Sequence, residues 1–176
     1  ALGLEQLGAD FLLICCNTIH KVADIVSDAV SIPLLHLVDV TAKAVKKERI
    51  GTVGLLGTIL TMEQEFYKKR LVDLHGLEVL IPEKEDRDYV NRIIHEELIF
   101  GQIKEDSRSH FIRIIESLTD RGAGGVIMGC TEIPLLIKQS DTPVAVFDTT
   151  HLHSLAAVEE SLEEDSLVKI EEKKDP

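Results

Sequence analysis

Residues 122–134, GAGGVIMGCTEIP, decide the fold, because residues 8–20, GADFLLICCNTIH, say nearly the same thing. In both stretches a Gly-Ala pair leads into an apolar run that ends at a cysteine eight residues after the first glycine, Cys16 in one and Cys130 in the other. Small polar residues follow, Asn17 and Thr18 in the first copy and Thr131 and Glu132 in the second. These are helix N-cap residues. Each copy therefore reads as strand, cysteine at the strand's carboxyl end, helix start. The echo continues into Ile32-Pro33-Leu34-Leu35, leading to Asp39, and Thr142-Pro143-Val144-Ala145-Val146, leading to Asp148. An offset of 114 residues between the cysteines is far longer than a solenoid period, so it implies two related lobes with a cysteine on each side of a cleft.

Outward from these copies, strand and helix patterns alternate. A helix within residues 1–9 stops at Gly8, and a buried strand at 11–15 precedes a helix at 21–30 with Val22, Ile25, Val26 and Ala29 at helical spacing. A strand at 34–38 and a helix at 42–47, capped by Asp39 or Thr41, come next. The run IGTVGLL at 50–56 is a second buried strand, closed by Gly57-Thr58, and Thr61-Met62-Glu63-Gln64 is a capping box for a helix to about residue 74. Such a strand end and helix start can hold a carboxylate on backbone N–H groups. Gly76 ends that helix, 77–81 is a strand and 82–88 a charged loop. Helices at 89–99 and 105–118, a strand at 125–129, a helix at 132–137, a strand at 144–147 and a helix at 152–162 complete the pattern. The expected fold is α/β, with parallel sheets flanked by helices in two pseudo-symmetric lobes. The lobes are drawn as 1–35 plus 141–162 and as 36–140, with 163–176 an acidic, disordered tail.

A formal charge of −12, from 31 acidic and 19 basic residues, argues against nucleic acid and anionic membrane as partners. Three cysteines are too few for a disulfide framework in 176 residues, which fits a reducing, cytoplasmic setting. No dinucleotide fingerprint, P-loop or metal-ligand cluster is present in the sequence, so no cofactor and no metal are expected, and the partner is a small molecule.

A lone cysteine at the end of an apolar strand is ordinarily core filler. Two at matching places in a duplicated unit suit another task. A helix N-terminus at the carboxyl edge of a parallel sheet lowers a thiol's pKa. One thiolate can then take a proton from a carbon while a thiol on the opposite face returns one, which inverts the centre. Asn17, Thr18, Thr58 and Thr131 are candidates to hydrogen-bond the substrate carboxylate in a dry cleft.

The motifs Cys16-Asn17-Thr18-Ile19-His20 and Gly129-Cys130-Thr131-Glu132-Ile133, with Gly54-Leu55-Leu56-Gly57-Thr58, the TMEQEFY segment at 61–67 and HEEL at 95–98, resemble the cofactor-independent aspartate/glutamate racemase superfamily. The resemblance covers residues 8–160. It implies two pseudo-symmetric α/β lobes, Cys16 and Cys130 as the two catalytic acid/bases, interconversion of L- and D-aspartate or glutamate, and pairing as a homodimer. It also implies tens of residues before this point, so the first lobe is expected to lack its N-terminal strand and glycine-rich turn. A truncated or non-catalytic relative that binds dicarboxylic amino acids, and a related cysteine-dependent isomerase of the maleate or hydantoin type, stand as alternatives.

Cys15 is read as core. His20 is either an orienting group for Cys16 or a histidine with a structural hydrogen bond. His151 and His153 are placed in the cleft or on the surface, and Glu132 either polarises Cys130 or serves the helix start. The basic run at 68–70 and Lys46 and Lys47 are read as solvated helix faces.

Overall fold

The computed structural model describes residues 1–171, with side chains through Leu162. Four strands, β1 (Thr52–Gly57), β2 (Glu78–Leu80), β3 (Gly125–Gly129) and β4 (Ala145–Asp148), form one parallel sheet in the order β2-β1-β3-β4. Helices α3 (Leu37–Lys47) and α5 (Glu65–His75) cover one face, and α6 (Lys84–Glu96), α7 (Glu105–Asp120) and the short α8 (Ile133–Leu136) the other. The strands' alternation sorts the core: Leu56, Val126 and Met128 pack with the α6–α7 side, and Val53, Leu55, Ile127 and Phe147 with the α3–α5 side. Both faces of β1 and β3 are buried, which is why these strands read as unbroken apolar runs.

The register places Gly57 of β1 opposite Gly129 of β3. A Cβ on Gly57 would lie 2.8 Å from the Gly129 carbonyl oxygen, and one on Gly129 2.8 Å from the Leu56 oxygen, so only glycine lets the strand ends approach this closely. Between the strands run α4 (Ile59–Glu63), capped by the Thr58 hydroxyl accepting from the Thr61 N–H, and α5, which ends at Gly76 in the left-handed conformation, φ +67°. The cap is Thr58 rather than Thr61, and the helix expected from residue 61 is two helices, because Gln64 is extended.

Several boundaries differ from those drawn on sequence. The segment at 11–15 is not a strand: its pairing is a single parallel bridge, Leu12 to Leu34. It has no further ladder to continue it, so Cys15 is exposed rather than in the core. Residues expected as a strand at 34–38 enter α3 instead, since the His36 ring accepts the Val38 N–H and caps the helix there. The charged loop at 82–88 is largely the first turn of α6. Glu85 and Asp86 favour that helix start, and Lys84 pairs with Asp88 at 2.7 Å. Residues 145–148, grouped on sequence with 1–35, pair with β3 and complete the sheet of the 36–140 segment.

Residues 1–36 contribute α1 (Leu2–Gln6), a 3-10 turn (Thr18–Val22) and α2 (Ala23–Ala29), whose Val22 and Ile25 remain exposed. The last helix, α9 (Thr149–Glu171), starts directly after β4 and packs on α3. Among the described residues no helix is long and apolar enough to cross a membrane. Of the acidic tail expected to be disordered from residue 163, residues 163–171 instead continue α9 as helix, and residues 172–176 lie outside the described residues.

Replacing Gly57 with alanine should push β1 and β3 apart at their carboxyl ends and destabilise the fold by about 1–3 kcal/mol. Urea denaturation measures this, and an unchanged midpoint would contradict the close approach.

Candidate active site

In a parallel sheet ordered β2-β1-β3-β4, connections leave β1 and β3 in opposite directions, and a crevice opens beyond their carboxyl ends. Thr58 follows Gly57 and Cys130 follows Gly129, so the paired glycines bring these two residues to the mouth of that crevice. Cys130 donates its thiol hydrogen to the Glu132 carboxylate, Sγ to Oε2 2.9 Å. Burial first, and then the hydrogen bond to Glu132, push this thiol up to about 12, and the nearby Cys16 adds a like-charge contribution in the same direction. Burial alone would raise the Glu132 carboxyl, but hydrogen bonds from Cys130 and Thr131 outweigh it and hold it below the usual range, with the His95 ring adding a small effect of the same sign. At neutral pH the pair is thus a thiol against a carboxylate.

Cys16 lies half-buried just before the 3-10 turn, and three hydroxyls gather beside that turn: Thr18 to Thr58 at 3.0 Å, Thr18 to Thr61 at 3.1 Å and Thr58 to Thr61 at 3.2 Å. Asn17 is buried and held at both ends of its amide. The Tyr67 hydroxyl donates to Oδ1 at 3.1 Å, and Nδ2 donates to the Thr149 hydroxyl at 3.0 Å. The structure therefore brings together Cys16, Asn17, Thr18, Thr58, Cys130 and Glu132, and Thr131 enters through its bond to Glu132. Thr61, Tyr67, Thr149 and His95 were not singled out from sequence. Tyr67 and Thr61 fall inside the TMEQEFY segment and His95 inside HEEL, patterns in which Thr61 is read only as a helix cap.

The histidines divide by burial. His20 is structural: its Nδ1–H donates to the Cys16 carbonyl at 2.8 Å while Nε2 accepts the Leu37 N–H at 3.2 Å. His153 is buried and donates Nε2–H to the Leu35 carbonyl at 2.8 Å, whereas His151 is exposed. With His36, whose ring centroid is 4.6 Å from that of His20, they form a cluster in which burial lowers all three pKa values. Arg70 is no solvated helix-face cation: it forms a two-pronged pair with Asp39, 2.8 and 2.7 Å, and His75 donates to the same carboxylate. Burial pushes Asp39 up, but these bonds win and hold it near 2. The Asp39–Asp148 echo seen in sequence thus ends in different duties, since Asp148 accepts the Thr150 and His151 N–H groups at the start of α9.

A doubly covered parallel sheet with polar side chains gathered at the carboxyl ends of its central strands defines a doubly wound α/β protein, a class in which that edge is the usual place for a ligand. The family model for Asp/Glu/hydantoin racemases matches residues 1–157, and the chain belongs to that family. A Yersinia pestis candidate Asp/Glu racemase is 49% identical and superimposes with a TM-score of 0.87, over 91% of this chain and 70% of that one. An aspartate racemase homologue from Pyrococcus horikoshii is 41% identical with a TM-score of 0.82, over 90% and 69%. The broad specificity amino-acid racemase RacX of Bacillus subtilis is 31% identical over 154 residues, 85% of this chain; the chain spans 64% of RacX.

Two outcomes are expected from the electrostatics. In a Cys15→Ser, Cys16→Ser background, Glu132→Gln should move the pH at which Cys130 becomes alkylated by iodoacetamide downward, because the charge that disfavours the thiolate is gone. Burial persists, so the onset should stay above that of an ordinary cysteine; a rise or no change would contradict the Cys130–Glu132 contact. Histidines with folded pKa values below the unfolded value contribute stability that is full above about pH 6.5 and is lost as pH falls below it. His36→Asn keeps an acceptor at the helix cap, so its stability should vary less between about pH 6.5 and pH 4 than the parent's, measured by urea unfolding at each pH.

Proposed function

We propose that this chain is an amino-acid racemase that interconverts L- and D-aspartate or glutamate by two-base proton transfer between Cys16 and Cys130, without pyridoxal phosphate or a metal. The observation that carries this reading is the Cys130 thiol, held protonated against Glu132 at the end of β3, with Cys16 close enough to influence its ionisation. Membership of the racemase family supports it.

In one direction a Cys16 thiolate takes the α-proton, and the C–H electron pair stays on the substrate as a carbanion. The Cys130 S–H delivers its proton to the opposite face, leaving thiol at Cys16 and thiolate at Cys130. In the other direction Cys130 must be the base, and Glu132, 2.9 Å away, is placed to receive its proton first. Hydrogen bonds from Thr18, Thr58 and Thr131 and from the remaining Asn17 Nδ2–H would stabilise charge on the α-carboxylate as the carbanion forms. Action in the cytosol as a homodimer belongs to the same reading, supported by three free cysteines and by the family resemblance.

Racemisation of L-aspartate and L-glutamate is followed by optical rotation, and α-proton exchange by mass change in deuterated buffer, with hydantoins and maleate in parallel. Cys16→Ser and Cys130→Ser should each lower racemisation by about a thousandfold. Unchanged racemisation in either variant would overturn the two-thiol assignment, while faster turnover of a hydantoin or of maleate would move the substrate class.

A further inference from the structure

The segment that carries Cys16 is not held in the sheet. Its backbone pairing is one bridge, Leu12 to Leu34, and both residues lie within the first 36. The place of Cys16 relative to Cys130 therefore depends on side chains, and one connected set of hydrogen bonds joins the two. The Tyr67 hydroxyl donates to Asn17 Oδ1 at 3.1 Å, Asn17 Nδ2 donates to Thr149 Oγ1 at 3.0 Å, and Thr149 donates to the Met128 carbonyl at 2.9 Å. Asn17 adjoins Cys16, and Met128 lies two residues before Cys130 on β3. Tyr67 and Thr149 are fully buried and Asn17 nearly so, so water cannot replace a missing partner without entering the core.

We propose that Tyr67 and Thr149 are positioning residues for Cys16, gripping the Asn17 amide from both ends and fixing the adjoining cysteine opposite Cys130. Neither touches the reacting atoms in this assignment. They come from α5 and from the first residue of α9, and α9 can reach because it starts immediately after β4. The grip also sets the orientation of the amide, since Oδ1 faces a donor and Nδ2 an acceptor. It leaves one Nδ2–H directed by the other two bonds. His20 reinforces the same peptide by donating to the Cys16 carbonyl at 2.8 Å, but its ring anchors to Leu37 and does not reach β3.

The proposal rests on the two-thiol reading for its kinetic consequence but not for its structural one, so two measurements are paired. Tyr67→Phe and Thr149→Val each remove a hydroxyl with little change in volume, and Thr149→Ser keeps the hydroxyl. In a Cys15→Ser background, at one pH above the onset at which Cys130 is alkylated, the rate at which dibromobimane bridges Cys16 and Cys130 reports how the thiols face each other, whether or not the protein is catalytic. The parent should bridge. Tyr67→Phe and Thr149→Val should bridge about tenfold or more slowly, with kcat falling by about tenfold to a hundredfold and KM little changed, and Thr149→Ser should restore both. Parent bridging rates in both hydroxyl-deleted variants, or a parent that does not bridge, would overturn the assignment. So would a rise in KM with kcat intact, which would make the amide a substrate-binding group alone. A parent that bridges but racemises nothing would sink the racemase reading, and the bridging rates would still decide the grip.

Discussion

Most of this structure depends on the contact between the carboxyl ends of β1 and β3. Gly57 and Gly129 face each other in register, and each leaves room for the other's backbone that a single methyl group would occupy. The approach puts Thr58 and Cys130 side by side at the point where the sheet's connections diverge. The apolar residues before the glycines, Leu55 and Leu56 on one strand and Ile127 and Met128 on the other, are fully buried in opposite layers. The same ladder therefore fixes the core and aims the site.

A second level of organisation is polar. Residues 8–36 lie beside the sheet without joining it, and their attachment runs through Asn17, Thr18, His20 and His153. Among the described residues no buried side-chain nitrogen or oxygen lacks a partner. Completeness matters here, because a buried polar group that loses its partner costs about 1–3 kcal/mol, more than the bond contributes when made. Such attachment is specific and brittle, because each bond depends on one named partner.

The electrostatics have their origin in the same burial. Three histidines next to the Cys16 segment are kept neutral because burial penalises their charge, and it outweighs the backbone carbonyls that favour protonation of His20 and His153. The Cys130 thiol and the Glu132 carboxylate resolve the same pressure differently: one proton lies between them, and the carboxylate, helped by Thr131, keeps the negative charge. That arrangement leaves Cys130 a hydrogen-bond donor to a charged partner.

Local sequence was enough to specify the central strands, the helix at 105–118, most of the helix expected from 61 to about 74 and the left-handed stop at Gly76, because each is written in short-range periodicity or in a glycine that few other residues can replace. It also pointed to Asn17, Thr18, Thr58, Thr131 and Glu132 as companions of the cysteines, on the expectation that small polar residues after a strand cap the next helix; of these only Thr58 caps one with its side chain, while Asn17 and Glu132 stand at helix starts without such a bond. Tertiary contacts alone settled that 11–15 forms a single bridge, that 34–38 turns into a helix at His36, and that 145–148 closes the sheet beside β3. A strand needs a neighbour, and a neighbour is a property of the whole chain. Tyr67 and Thr149 were invisible for the same reason: they meet Asn17 across 50 and 132 residues, and no local pattern records a hydrogen bond made at that distance along the chain.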